Sequence, residues 1–406
     1  MKKTILSLLI SLFCLNAVAD SYPSAEAQTL FQTYGKGRPY RIPAIAKAKN
    51  GDLIAVSDDR FCGADIGYGK VNLVYKVSHD NGKTWTPELM MAEGDGIKTS
   101  NTCGFGDAAI VADRKSNRVM VMCVSAPQGG NCWTPEQRGS ILWGTPTKDG
   151  NWQWTEPIDI KDQIMALLPA DRVNYFVGSG KLHQSRTIKV GKYYRVYAAL
   201  WTSSGRDLQN YVVYSDDFGQ TWQLLGTSDI CPGPDGNEPK CEELPNGDVI
   251  LSARRPGYRL LNIFHYTNAK RAEGTWDKAT DGIKNGDVSG TDGEILLVKA
   301  KQAGGKPVTI ALQSAPNHGR KKVSIWYKIL AADTDCDTPA NLGQGWTLGK
   351  QITEHSSAYS TMCLQADGRI AFFYEDGRSG VDYDMIYLPI SLSELTGLED
   401  YVLINK

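Results

Sequence analysis

The sequence predicts an all-β protein built by radial repetition, a propeller, and three observations carry that reading. First, the phrase Ser-x-Asp-x-Gly-x-Thr-Trp occurs at Ser78, Asp80, Gly82, Thr84 and Trp85, and returns in register at Ser215, Asp217, Gly219, Thr221 and Trp222. Second, short apolar or alternating runs separated by Asn/Asp/Gly turns fill nearly the whole chain, while long helical periodicity is scarce. Third, 41 glycines, 19 tyrosines and 10 tryptophans suit a turn-rich sheet protein better than a helical bundle.

Each repeat reads mechanically as a hairpin turn. The Asp accepts from turn N–H groups, the Gly takes a positive φ, and the Trp packs between sheets. Asp80 and Asp217 are therefore scaffold residues. Trp152-Gln153-Trp154 and Gly345-Trp346 read as degraded copies. A hairpin unit that cannot bury its faces alone points to blades around an axis.

Taken in order, residues 1–19 read as an export signal: Lys2-Lys3, an apolar run from Ile5 to Val18, and Ala17-Val18-Ala19 before Asp20. The apolar run is short for a membrane span, and no later segment is apolar enough for one. Residues 20–38 form a polar lead-in, and 39–406 a single β-propeller domain with no linker-like shift in composition. Strand runs include Leu53-Ile54-Ala55-Val56, Ala108-Ala109-Ile110-Val111, Val119-Met120-Val121-Met122, Val249-Ile250-Leu251 and Ile370-Ala371-Phe372-Phe373-Tyr374. Asn50-Gly51-Asp52, Asn246-Gly247-Asp248 and Asp367-Gly368 mark turns. Short helices fit Ile160 to Leu168 and Leu392 to Leu398.

The 44 basic and 45 acidic residues nearly cancel, which argues against a general polyanion binder, nucleic acid included. Eight cysteines follow the signal, and the even count permits disulfides in an exported chain. Cys231 and Cys241, flanking a Pro/Gly-rich loop, are the expected local pair. The five histidines, His79, His183, His265, His318 and His355, show no ligand spacing, and no glycine-rich phosphate loop opens a helix. No metal or nucleotide cofactor is implied.

Arg41 in Tyr40-Arg41-Ile42-Pro43, followed by the two boxes, resembles the bacterial exo-α-sialidases (neuraminidases). The resemblance runs from about Tyr40 to Glu375. It implies a sialidase-like, six-bladed β-propeller and three arginines from different blades that hold the sialic acid carboxylate. Arg41 matches the first, Arg254 after Asn246-Gly247-Asp248 the second, and Arg320 in Asn317-His318-Gly319-Arg320 the third. A planar guanidinium holds a carboxylate by two parallel bonds, so several fix its orientation.

The same resemblance implies the reacting groups. Sialic acid carries its carboxylate on the anomeric carbon, so an anionic nucleophile is repelled and a phenol with a neighbouring base is not. Sialidases accordingly depart from the two-carboxylate scheme of other glycosidases. Tyr359 matches the nucleophile, Glu238 its base, and Asp65 on Cys62-Gly63-Ala64-Asp65-Ile66-Gly67 the acid that serves the leaving oxygen. That acid role requires burial against substrate. Glu375 matches the partner of Arg41, while Arg60 and Asp107 match rim positions that contact substrate. Trp133 and Tyr175 are candidates for aromatic walls, with core packing the competing role for each.

These assignments imply a monomeric, retaining exo-sialidase acting on sialylated glycoproteins, glycolipids and oligosaccharides. The alternatives are an intramolecular or trans-sialidase of the same fold, and a propeller that binds sialosides without cleaving them.

Overall fold

The computed structural model describes residues 26–404 apart from 206, 284–290, 318, 379 and 381; the signal segment and His318 lie outside this set. Among the described residues six sheets, antiparallel but for the parallel pairing of Gly180–Lys181 with Gly104–Ala112, are arranged as the blades of a propeller. Blade one is a four-stranded meander of Tyr40–Lys47, Leu53–Asp59, Asn72–Ser78 and Leu89–Ala92. Blades two to five begin on Gly104–Ala112, Asn174–Val177, Pro239–Glu243 and Ile295–Gln302. Blade six contains Ser360–Leu364, Ile370–Asp376 and Asp384–Ile390. Its outer position is filled by Gln28–Phe31, which pairs antiparallel with Asp384–Ile390. The polar lead-in thus contributes a strand that joins the last blade through backbone bonds and closes the ring, while the last strand, Tyr401–Leu403, pairs with Ile295–Gln302 of blade five.

Strand alternation explains where the core sits. Successive side chains point to opposite faces, and both faces of a blade meet a neighbour. In blade two, Val119, Val121 and Cys123 pack against blade one, while Met120 and Met122 pack against blade three. Six apolar clusters of this kind fill the gaps between blades. Full burial of one such aliphatic side chain contributes about 1.5–3 kcal/mol, so stability is distributed around the ring.

Both boxes form the expected turns. Ser78 Oγ donates to Asp80 Oδ1 at 2.8 Å, and Thr84 N and Oγ1 donate to the same carboxylate at 2.8 and 2.6 Å. The bonds of Ser215, Asp217 and Thr221 repeat these within 0.1 Å, at 2.7, 2.9 and 2.6 Å. Gly82 and Gly219 take φ +89° and +88°. Each box reaches the preceding blade: Trp85 stands edge-on to Tyr387 at 5.1 Å, and Trp222 joins the cluster between blades two and three. Blade four keeps the tryptophan alone, with Trp276 Nε1 donating to Leu225 O at 2.8 Å.

Helices occupy Lys161–Met165 and Leu392–Thr396, inside the two segments read as helical; Ser391 and Glu394 cap the latter reciprocally. One expectation fails. Cys231 and Cys241 are both free thiols. Cys241 faces the cluster between blades three and four, whereas Cys231 packs against the one between blades two and three.

Candidate active site

In a four-stranded meander, the start of the first strand and the loop from second to third strand lie at one end; the loop from third to fourth lies at the other. The boxes occupy the latter. The candidate residues occupy the former. Arg41 starts the first strand of blade one, and Arg60 and Asp65 follow its second strand. Glu238 and Tyr359 immediately precede the first strands of blades four and six, and Arg254 ends the second strand of blade four. Arg320 lies between the second and third strands of blade five. One face of the disc therefore collects residues more than 300 positions apart.

There they line a cavity of about 330 Å³, with Arg41, Arg60, Asp65, Asp107, Glu238, Arg254, Arg320 and Tyr359 all on its wall. At its floor Tyr359 Oη donates to Glu238 Oε1 at 2.6 Å, and Arg254 Nη1 donates to Glu238 Oε2 at 2.6 Å. The same Nη1 is 3.4 Å from the phenol oxygen. Burial first, and then the adjacent Glu238 carboxylate, hold the Tyr359 phenol well above its ordinary pKa. In the free protein the phenol is thus protonated, with its proton already directed at a carboxylate.

Arg41 is fixed from behind. Its Nε and Nη2 donate to Glu375 at 2.7 and 3.3 Å, and its guanidinium lies 5.0 Å from the Tyr383 ring centroid. Ile42, at φ +59° within a bulge of the first strand, turns the backbone beside it. Arg320 faces the cavity and bonds Tyr383. Of its neighbours, Lys321 forms a backbone β-bridge with Ser356, and the Lys322 ammonium pairs with Glu354 at 3.3 Å.

A second cluster surrounds Arg60, which is buried. Its Nη2 is 3.1 Å from Asp58, 2.9 Å from Asp65 and 3.9 Å from Asp107. Asp65 is exposed at the cavity mouth and also accepts from Ile66 N at 2.9 Å. Asp107 sits on a bulge at φ +53°, and burial followed by the Asp58 and Asp65 charges raises it well above the usual carboxylate range. Asp58 was not anticipated from the sequence. It is fully buried, holds Arg60 with Oδ2 and accepts from Asp107 N at 3.0 Å with Oδ1. Burial, against the pull of Arg60, raises it to about 7. The signal for it was an acid near the end of the apolar run Leu53-Ile54-Ala55-Val56, inside the strand Leu53–Asp59.

Of the two aromatic candidates, Trp133 lies on the wall and Tyr175 does not. Tyr175 is 2% exposed and belongs to the core between blades two and three, while its neighbour Phe176 faces the cavity. Phe176 stacks on Trp201 at 5.3 Å and gives one side of the site an apolar lining.

A fold of this kind defines an Asp-box propeller with an arginine-lined cavity at its face, and comparison with known proteins narrows the class. The BNR/Asp-box repeat family matches residues 76–87 and 213–224, the two boxes. The sialidase of Micromonospora viridifaciens is 26% identical over 365 residues, covering 85% of this chain and 50% of that protein. The sialidase of Paraclostridium sordellii is 26% identical over 274 residues, covering 64% of each. The chain therefore spans half to two thirds of the length of these relatives. The intramolecular trans-sialidase of Ruminococcus gnavus, solved with oseltamivir carboxylate, superposes with a TM-score of 0.70 at 16% identity, covering 91% of this chain and 98% of that one. These matches make the chain similar to bacterial sialidases and support that family, with its Asp-box repeats, for it.

Proposed function

We propose that the protein is a retaining exo-α-sialidase that releases terminal sialic acid through a covalent tyrosyl intermediate. The observation that carries this reading is the Tyr359–Glu238–Arg254 contact at the floor of a cavity whose wall also holds Arg41 and Arg320. Three guanidiniums of one cavity suit a carboxylate ligand. A phenol whose proton is already shared with a carboxylate suits attack on a carbon bearing negative charge.

In the first half-reaction Tyr359 Oη bonds to the anomeric carbon while Glu238 accepts its proton. The bond to the leaving oxygen breaks, and Asp65 supplies that oxygen with a proton. In the second, Asp65 takes a proton from water, the water oxygen attacks from the face the leaving group vacated, opposite Tyr359, and displaces it, and Glu238 returns the proton to the phenolate. Two displacements retain the configuration. Glu375 keeps Arg41 aimed at the ligand, and Arg60 and Asp107 meet the sugar's polar edge. One chain lines the whole cavity, so a monomer suffices. The basic-then-apolar segment 1–19 supports export; among the described residues no helix is long and apolar enough to cross a membrane.

The test is release of fluorophore from an aryl α-sialoside by purified protein, with the product's anomer followed by NMR. α-Sialic acid appearing first supports the mechanism. An anhydro product would reassign the second step to intramolecular transfer, and an inert protein that still binds sialyllactose would be a binding propeller.

A further inference from the structure

The three arginines proposed to grip the carboxylate are not backed alike. Arg41 is paired with Glu375 at 2.7 Å and Arg254 with Glu238 at 2.6 Å, and both carboxylates are buried. Among the described residues no carboxylate pairs with Arg320. Its side chain is exposed, on the loop between the strands Pro307–Pro316 and Val323–Leu330, and it bonds the phenol of Tyr383. The first two cations are thus neutralised from behind, while the third is held by a neutral group.

Tyr383 comes from blade six, directly before the strand Asp384–Ile390, and is itself fixed. Thr33 Oγ1 donates to Tyr383 O at 2.7 Å, and the same hydroxyl oxygen accepts from Tyr40 N at 2.9 Å. Asp384 Oδ1 accepts from Thr33 N at 2.7 Å. The backbone of Tyr383 is therefore tied, through one threonine, to the residue before Arg41. Its ring packs against Ile42, Ala358 and Tyr359, with the Arg41 guanidinium 5.0 Å from its centroid. Its hydroxyl oxygen accepts from Arg320. One side chain thus spans an arginine of blade one and an arginine of blade five, and it stands behind the cavity wall rather than on it. Burial first, and then the Glu375 charge, raise the phenol above its ordinary pKa and keep it neutral.

Resting on the function proposed above, we propose that Tyr383 is a positioning residue, whose hydroxyl aims Arg320 at the substrate carboxylate while its ring backs Arg41. A carboxylate in that place would hold Arg320 as firmly but cancel its charge; a phenol holds it and leaves the charge to meet the ligand. Two guanidiniums that converge on one carboxylate also repel each other before it arrives. A ring face beside one and an oxygen bonded to the other oppose that repulsion. An exposed arginine that is already held loses less side-chain freedom when the ligand binds. Because the carboxylate keeps its charge from bound substrate to transition state, the effect belongs in KM and not in kcat.

The experiment compares the full chain with Tyr383→Phe, Arg320→Ala and the double variant, reading kcat and KM on an aryl α-sialoside and Kd for 3′-sialyllactose by calorimetry. Tyr383→Phe keeps the ring beside Arg41 and removes only the oxygen that holds Arg320. KM and Kd are expected to rise roughly three- to tenfold, with kcat within about twofold of the parent. In the Arg320→Ala background the same change should alter kcat/KM and Kd by less than about twofold, because the oxygen then has nothing to aim. A merely structural role would weaken both backgrounds alike, and that additive result would overturn the proposal. Unchanged KM and Kd in Tyr383→Phe, or a loss confined to kcat, would overturn it as well. In all three cases an active parent leaves the functional reading standing. If the parent neither cleaves the aryl sialoside nor binds sialyllactose, that reading fails and takes the role of Tyr383 with it.

Discussion

The Glu375 carboxylate, fully buried, holds the Arg41 guanidinium at 2.7 Å. It also accepts from two backbone N–H groups: Ile42 at 2.9 Å on blade one and Tyr359 at 3.0 Å on blade six. One side chain thus positions a cavity-facing arginine and the backbone of the candidate nucleophile, across the seam where the ring closes.

Glu375→Gln is predicted to loosen both. Removing one charge of a buried pair costs about 3–5 kcal/mol because the other remains desolvated. Loss of at least about 2 kcal/mol in urea unfolding is expected, since Gln keeps part of the hydrogen bonding. KM for an aryl sialoside should rise by roughly tenfold or more as Arg41 loses its backing. Unchanged stability and KM would show that Arg41 needs no anchor.

Tyr359→Phe removes the oxygen while keeping the ring against Ala358 and Ile42. Among the described residues the Glu238 carboxylate then keeps its bond to Arg254, so the arginine stays held, and affinity for sialosides should stay within about threefold. Turnover should fall by roughly 10³-fold or more, as when a nucleophile is deleted. Turnover within tenfold of the parent would move the nucleophile to another residue.

Gly82 sits in the first box at φ +89°, and a Cβ there would lie 1.9 Å from Tyr387 Oη. Gly82→Ala should cost about 3 kcal/mol from backbone strain and overpacking together. The box lies on the face opposite the cavity, so kcat/KM of the folded fraction should be unchanged. A stable variant, or one with impaired KM, would break the assignment of the boxes to scaffold.

Legibility in the sequence followed the range of the interactions. The boxes were readable because a box closes its hydrogen bonds within seven residues, from Ser78 to Thr84. The ring of candidate residues became readable only through a family pattern; nothing local in Ala358-Tyr359-Ser360 says that its phenol meets Glu238, 121 positions away. Asp58 escaped because half its role is a bond to Asp107 N, 49 positions away, on a bulge that no sequence rule locates. Tyr175 was weighed as wall against core and Phe176 went unnamed, because neighbouring strand residues face opposite sides and phase depends on register with the next strand. Cys231 and Cys241 looked paired because they are close along the chain, yet they face different gaps between blades.

His265 offers a pH test of the scaffold that is independent of the cavity. Its Nδ1 meets Asp248 Oδ2 at 2.7 Å and its Nε2 meets Asp277 Oδ2 at 3.1 Å, so both ring nitrogens face carboxylates. Burial lowers its pKa, but the bonds to Asp248 and Asp277 outweigh that and raise it above the ordinary value. The folded state therefore binds this proton more tightly than the unfolded chain. The resulting stabilisation is full below the unfolded histidine value near ~6.5 and is lost as pH rises through the folded value. With the ring about one third exposed, the contribution should stay below about 1 kcal/mol. Urea titrations of parent and His265→Gln should accordingly differ more at about pH 5.5 than at about pH 9. A difference that is the same at both pH values, or larger at the alkaline one, would mean that the ring is held as the neutral imidazole.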